Sequence, residues 1–168
     1  MPAVPMVTGH PCPACGKQAS LRPDLHQLLS LIAHGLTNPQ IATLTGRTDA
    51  NLIRWTATLY QRLPARSRIQ AVDVAFRAGL LPPSTEARWP EKGLGPTTLL
   101  VATQRAQGLR LEEIARRHNL ALGTIKTHMD RLHKGLGIDK GAHAVYVLHS
   151  LNALPRPHPC PCTTIRRP

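Results

Sequence analysis

Four cysteines occur as two close pairs, one near each end of the chain. Cys12 and Cys15 lie in a Cys-Pro-x-Cys-Gly motif, which is half of a zinc-ribbon pattern. Cys160 and Cys162 form a less usual Cys-x-Cys motif. One pair supplies two thiolates, whereas a closed structural zinc site needs four nitrogen or sulfur ligands in tetrahedral geometry. We therefore expect a structural Zn²⁺ that joins the two chain ends, its ligands being Cys12, Cys15, Cys160 and Cys162.

Other chemistry for the same cysteines stays open. His10 or His158 can replace one thiolate, because Cys-x-Cys is an uncommon half-site. A disulfide or redox pair and unligated thiols are the remaining alternatives. The chain begins without the apolar segment of a signal peptide, and no apolar run reaches the roughly 18 residues of a membrane span. We expect a cytoplasmic protein without membrane contact, in which metal binding is favoured over disulfides.

The titratable residues form no catalytic pattern. The nine histidines are scattered along the chain, and only nine acidic residues are present. No Ser-His-Asp arrangement, P-loop or dinucleotide-binding glycine motif occurs. We therefore expect neither enzymatic activity nor a small-molecule substrate.

Charge gives the clearest indication of a partner. The 168 residues contain 21 Lys or Arg, and the formal net charge is +12. A chain this basic is expected to bind a polyanion, most often nucleic acid; a basic protein without such a partner is the alternative. Aromatic residues make up only 3% of the sequence, and Leu, Ala, Val and Ile dominate the apolar residues. This composition favours short packed helices over β-sandwiches.

The chain also repeats itself. Shifted by 73 residues without a gap, residues 21–82 match residues 94–155 at 14 of 62 positions, most of them apolar or glycine. A period this long fits two complete small domains better than solenoid units. The predicted organisation is an N-terminal zinc-knuckle segment (1–20), domain 1 (21–82), a linker (83–93), domain 2 (94–155) and a C-terminal Cys-x-Cys basic tail (156–168).

Apolar spacing, caps and glycine stops predict four helices in each repeat. In the first repeat, one helix lies between Pro23 and Gly35, and Thr37 with Gln40 forms a capping box for the second, which ends before Gly46. The later helices of this repeat are predicted over 49–63 and 68–79. Those of the second repeat are predicted over 96–107, 111–118, 122–134 and 141–152.

Three segments of the second repeat resemble the LuxR/FixJ-type helix-turn-helix domain: Glu112 to Arg117, Gly123 to Met129, and Leu132 to Gly137. The first repeat resembles the same family through Leu31 to Ala42 and the turn Arg66 to Arg68. The resemblance implies an all-α protein with two four-helix domains in tandem. It also implies that the third helix of each enters the major groove of double-stranded DNA, and that the fourth is used for dimerisation.

The resemblance places Lys126 and Thr127 at positions that contact bases or phosphates. Asp130 departs from a frequently basic position, which either redirects base choice towards a cytosine amine or weakens binding. Arg116 and Arg117 suit phosphate contacts that position the protein. The alternative is that Lys126 and its neighbours are solvated surface charges. The predicted DNA-binding residues of this repeat are Arg116, Arg117, Thr124, Lys126, Thr127, Asp130 and Arg131.

The first repeat differs from the second on its third helix. Ile53 occupies the position that Lys126 has in the second repeat. Trp55 is expected to lie in the core and not to serve as a stacking platform. Asn51 and Arg54 are capable readers of adenine and guanine. We predict that the two repeats read unlike half-sites, or that the first contacts mainly backbone and shape. Its predicted DNA-binding residues are Arg47, Thr48, Asn51, Arg54, Thr58, Arg62, Arg66 and Arg68.

Together these patterns predict sequence-specific binding of double-stranded DNA by a covalent pseudo-dimer, as in a bacterial or phage transcriptional regulator associated with the nucleoid. If the fourth helices pack together, the two recognition helices would face an imperfect inverted repeat. Homodimerisation of the whole chain stays open. An architectural or replicon- or telomere-maintenance protein is one alternative, and a protein-interaction adaptor with the same fold is another.

Overall fold

The computed structural model describes residues 7–11, 15–155 and 165. Within these ranges the chain is mainly helical, in agreement with the predicted all-α class, and no helix there is long and apolar enough to cross a lipid bilayer. The helices of the described part are α1 (Pro23–Ala33), α2 (Asn38–Thr45), α3 (Asp49–Arg62), α4 (Arg68–Arg77), α5 (Pro96–Ala106), α6 (Leu111–Arg117), α7 (Leu122–Leu136) and α8 (Gly141–Ser150).

A short antiparallel strand pair precedes α1. The strands β1 (Val7–Thr8) and β2 (Ser20–Leu21) have two residues each. Beside them, the backbone N–H of His10 donates to the carbonyl oxygen of Gly79 at 2.9 Å, which holds this segment against the end of α4. The sequence predicted no strand here, because two residues are too few to show an alternating pattern.

Local signals placed the helices well. All four helices of the second half begin 73 residues after their counterparts in the first half. Every predicted helix with stated bounds ends within two residues of its predicted end. At the start of α2, the backbone N–H of Thr37 donates to Gln40 Oε1 at 2.8 Å, as a capping box requires. Gly46 ends the same helix in the left-handed region, with φ of +63°.

Both halves of the chain contribute to one main core. Leu28 and Val72 from the first half lie in the same buried cluster as Ala144 and Leu148 from the second. A smaller cluster between α5, α6 and α7 belongs to the second half alone and consists of Val101, Ile114, Ala115 and Ile125. Because a helical unit of about 60 residues buries only ~60% of its surface by itself, sharing a core adds burial that neither half achieves alone.

The two halves meet through α4 and α8, the pairing on which the predicted arrangement depended. Phe76 and His149 occupy equivalent positions of the repeat and stack with ring centroids 4.9 Å apart. Asp73 Oδ1 lies 2.8 Å from His149 Nε2. Its symmetry-related contact joins Phe76 to Tyr146, with centroids 6.1 Å apart. The contact between residues 73 and 149 thus has a counterpart between residues 76 and 146, in which each residue is replaced by its equivalent in the other repeat. Such reciprocal contacts are characteristic of an isologous interface around a two-fold axis.

Two glycines at equivalent positions allow the same close approach on both sides of this axis. A Cβ at Gly35 would lie 3.1 Å from His143 Cβ, and one at Gly108 would lie 2.8 Å from Gln70 Cδ. His143 and Gln70 are themselves equivalent positions of the repeat. The φ angles of the two glycines are +81° and +97°, so both residues also have a backbone conformation that glycine adopts readily.

Candidate nucleic-acid interface

The turn between the second and third helix has the same backbone form in both halves. Gly46 has φ of +63° and Asn119, its equivalent, has φ of +52°. Asparagine enters the left-handed region more readily than most other non-glycine residues, so the substitution preserves the turn. The third helices α3 and α7 therefore leave their turns in the same way.

Helix α7 has one buried and one exposed side. Ile125 and Leu132 are buried, and Leu122 and Met129 are half-buried, which is the stripe that the sequence assigned to the interior. On α5, Thr98 Oγ1 lies 3.0 Å from His128 Nδ1 and helps to fix the rotation of α7 about its axis. The exposed residues of α7 and of the preceding α6 include Arg116, Arg117, Thr124, Lys126, Thr127, Asp130 and Arg131. All seven predicted contact residues of this half thus face outward.

Positive charge continues along α7 towards its end. A groove of about 830 Å³ lies between α7, the start of α5 and the segment before it. Lys92, Arg131 and Lys134 are its basic lining residues.

The segment predicted as a linker is anchored, since the backbone N–H of Ser84 donates to Ser150 Oγ of α8 at 2.8 Å.

Helix α3 is oriented by Trp55. The side chain is 5% exposed and its Nε1–H donates to Asp24 Oδ2 at 3.2 Å, so the prediction that Trp55 belongs to the core is confirmed. Burial by itself raises the pKa of Asp24. The hydrogen bond and positive charge of Arg22, with hydrogen bonds from Leu25 and Trp55, outweigh it and hold the pKa below its ordinary value.

The predicted contact residues of α3 and its neighbours differ in exposure. Thr48 caps α3 by accepting the backbone N–H of Asn51 at 3.4 Å. The exposed members of this predicted set are Thr48, Asn51, Arg54 and Arg66, and the half-buried members are Arg47, Thr58, Arg62 and Arg68. The exposed set contains both predicted base readers.

Two of the half-buried arginines have structural roles that the sequence did not indicate. Arg47 Cζ lies 4.0 Å from the ring centroid of Trp55, a cation–π contact at the turn before α3. Arg68 donates to the carbonyl oxygen of Leu36 at 2.8 Å and to Asn38 Oδ1, which ties the start of α4 to the start of α2. The predicted DNA contacts of these two side chains therefore compete with intramolecular packing.

The two halves differ in charge at several equivalent positions of the repeat. Four cations of the second half correspond to uncharged residues of the first: Arg116, Arg117, Lys126 and Arg131 align with Thr43, Leu44, Ile53 and Thr58. Leu44 and Ile53 are each 66% exposed. The sequence showed the replacement of Lys126 by Ile53, but only the structure shows that two large apolar side chains lie in solvent there.

The predicted zinc site falls largely outside the described residues. Cys12, Cys160 and Cys162 all lie there, and Cys15 is exposed. Within the ranges that the structure does describe, no three His, Cys, Asp or Glu side chains come together as a metal-binding group. The Cys₄ site therefore stays a prediction from the sequence.

A scan of protein-family models, a search of curated proteins and a search of solved structures found no match to this chain. The resemblance to LuxR/FixJ-type domains thus depends on the motif residues alone. The repeated helix order and the symmetric contact of α4 with α8 are independent observations of the structure.

Proposed function

We propose that this chain is a sequence-specific double-stranded DNA-binding protein of LuxR/FixJ type, in which two helix-turn-helix modules form a covalent pseudo-dimer. The observation that carries the proposal is the isologous packing of α4 against α8. A two-fold relation between two exposed helices matches the two-fold symmetry of duplex DNA, which is how dimeric helix-turn-helix proteins bind paired half-sites. The biological role would be transcriptional regulation in a bacterium or phage.

The charge of both halves supports a nucleic-acid partner. Residues 21–82 hold seven Arg against three Asp, and residues 94–155 hold eight Lys or Arg against four acids, so each half has a net charge of +4. Basic residues that neutralise phosphates release condensed counterions, which gives affinity that falls steeply with salt. Linking two such modules also raises the effective concentration of the second after the first has bound.

Different residues have different tasks in this proposal. Lys126 of α7 and Arg54 of α3 are exposed in the N-terminal halves of their helices and would contact guanine edges in the major groove. Asn51 would contact adenine. Arg116 and Arg117 at the end of α6 would contact phosphates and fix the register without reading sequence.

Selection of binding sites from random duplexes tests the proposal. We expect an imperfect inverted repeat whose half-sites are centred about 10 bp apart. Lys126→Ala and Arg54→Ala should each weaken binding to the selected site by roughly 5- to 150-fold, since a bidentate base contact is worth ~1–3 kcal/mol. Arg88→Ala is the matched control, because Arg88 is an exposed residue of the linker segment and its replacement also removes one positive charge.

Three results would contradict the proposal. If neither variant differs from Arg88→Ala, the assigned contacts are wrong. A steep salt dependence with equal affinity for all sequences would indicate an architectural protein instead. Absence of duplex binding at low salt, together with retention of a protein partner, would indicate an adaptor.

The zinc site is a second, separable part of the proposal. A Zn²⁺ at Cys12, Cys15, Cys160 and Cys162 would tether both chain ends and restrict the relative movement of the two modules. Its role would be structural, since four thiolates leave no open coordination position.

A further inference from the structure

The exposed side of α3 has an apolar stripe along its centre. Ala50, Ile53 and Ala57 are spaced by three and four residues, so they lie on one face of the helix, and all three are exposed. Leu44, from the neighbouring α2, is exposed to the same extent as Ile53, at 66%. The interior side of α3 is already occupied by Leu52, Trp55 and Leu59, so the core does not require this stripe.

Polar and basic groups lie alongside the stripe. Asn51 and Arg54 are the chain neighbours of Ala50 and Ile53, and both are exposed. A protein-docking surface is typically enriched in aromatic residues and methionine and depleted in alanine, whereas this stripe consists of two alanines and an isoleucine. In contrast, a recognition helix in the major groove combines hydrogen-bonding side chains with apolar contacts. The mixture on α3, within a half of net charge +4, favours DNA as the occupant.

The major groove offers one apolar feature on a base edge, the C5-methyl group of thymine. We propose that Ile53 contacts a thymine methyl group in the half-site of the first module, an inference that rests on the proposed DNA-binding function. Ala50 and Ala57 have short side chains on either side of Ile53, so α3 can approach the base edges closely. The methyl groups of these alanines can also contact neighbouring thymines.

The second module would read a different base at the corresponding position. Lys126 stands at the place of Ile53 and is a hydrogen-bond donor suited to the O6 and N7 of guanine. The stripe residues Ala50 and Ala57 correspond to Gly123 and Asp130. The half-site of α3 is therefore expected to contain a thymine where that of α7 contains a guanine, which makes the whole site directional.

Replacement of thymine by deoxyuridine tests this inference, because it removes only the methyl group. The selected duplex is made with uracil at single thymine positions of the α3 half-site, and binding of the full-length protein is measured for the parent and for Ile53→Ala. We expect one substitution to weaken the parent about fourfold, from ~0.8 kcal/mol for a buried methyl-sized group. The same substitution should leave the binding of Ile53→Ala unchanged.

Two further duplexes and two further protein variants test whether the loss of affinity comes from the methyl group. A 5-methylcytosine–guanine pair at that position should bind the parent more tightly than an unmethylated cytosine–guanine pair, because the two pairs differ only in the methyl group. Leu100→Ala serves as the matched control, since Leu100 is an exposed leucine on α5, at 40% exposure, and should respond to uracil like the parent. Ile53→Lys introduces the residue of the second module and should abolish sensitivity to the methyl group.

Failure of the thymine contact and failure of the proposed DNA-binding function give different results. If the parent binds the selected duplex but no uracil position separates it from Ile53→Ala, the thymine contact is refuted while the proposed function stands. Unchanged DNA affinity of Ile53→Ala with loss of a co-purifying protein would refute it in favour of a docking surface. If the parent selects no duplex at all, the proposed function and the inference both fall. Equal melting temperatures of parent and Ile53→Ala are expected, because the side chain is mostly in solvent.

Discussion

Replacement of Asp73 by alanine should loosen the joint between the two halves of the molecule. Asp73 Oδ1 lies 2.8 Å from His149 Nε2, and Oδ2 lies 3.1 Å from Arg77 Nη1. The three side chains are 6%, 1% and 14% exposed. The carboxylate therefore links α8 to α4 in a region that water scarcely reaches.

The magnitude follows from this burial. Removal of one member of a buried charged group costs about 3–5 kcal/mol, because the groups left behind remain desolvated. Arg77 is the most exposed member and can turn towards water, so we expect the low end, about 3 kcal/mol for Asp73→Ala. For a chain of this length, that corresponds to a fall in melting temperature of roughly 6–12 °C. Asp73→Asn keeps the volume and one acceptor oxygen and should cost about half as much.

Urea and thermal denaturation of Asp73→Ala, His149→Ala and the double variant measure the effect and its coupling. We expect a coupling free energy above about 1 kcal/mol, since contacting residues are not additive. Asp139→Ala is the control: it breaks the exposed pair with Lys140, whose oxygen–nitrogen distance is 2.6 Å, and should leave the midpoint unchanged. If the effects of Asp73→Ala and His149→Ala add to within about 0.3 kcal/mol, the two side chains do not act as a coupled pair. The DNA-binding readout is the spacing of half-sites, which Asp73→Ala should tolerate more broadly than the parent.

Two other predictions concern metal and pH. Purified protein should contain one zinc per chain, and a chelator should lower its melting temperature. If the purified protein contains no zinc and its melting temperature is the same with and without chelator, the predicted zinc site is wrong. The pKa of Asp24 is below its ordinary value of 3.8, so its ionised form stabilises the fold above that pH, and the stabilisation is lost as pH falls through the lowered pKa. The difference in free energy of unfolding between parent and Asp24→Asn should therefore shrink on acidification from about pH 5 towards pH 2. A difference that is constant or grows over this range would contradict the assignment.

The helices were predictable because their signals are local. Thr37 with Gln40 starts α2, Ser67 caps α4 by accepting the Gln70 backbone N–H, and Gly46 ends α2, all within a few residues. Helical periodicity also assigned the exposed side of α7, since a stripe of apolar residues leaves the opposite face outward.

The side chains of the first half were less predictable. The indole of Trp55 reaches Asp24, 31 residues earlier, and the guanidinium of Arg68 reaches Leu36, 32 residues earlier. Such partners depend on how helices cross, which local spacing does not contain. The same is true of Ile53: periodicity places it outside the buried stripe, but its exposed fraction depends on whether another element covers α3.

The 73-residue period alone predicts that one set of four helices occurs twice, because it repeats the residues that start, stop and bury each helix. Whether the two units touch, and by which faces, depends on long-range packing that the period does not contain. The contacts of Asp73 with His149 and of Phe76 with Tyr146 join residues 70 or more positions apart. Their geometry results from burying α4 and α8 together, a cooperative outcome of the whole core that no short segment encodes.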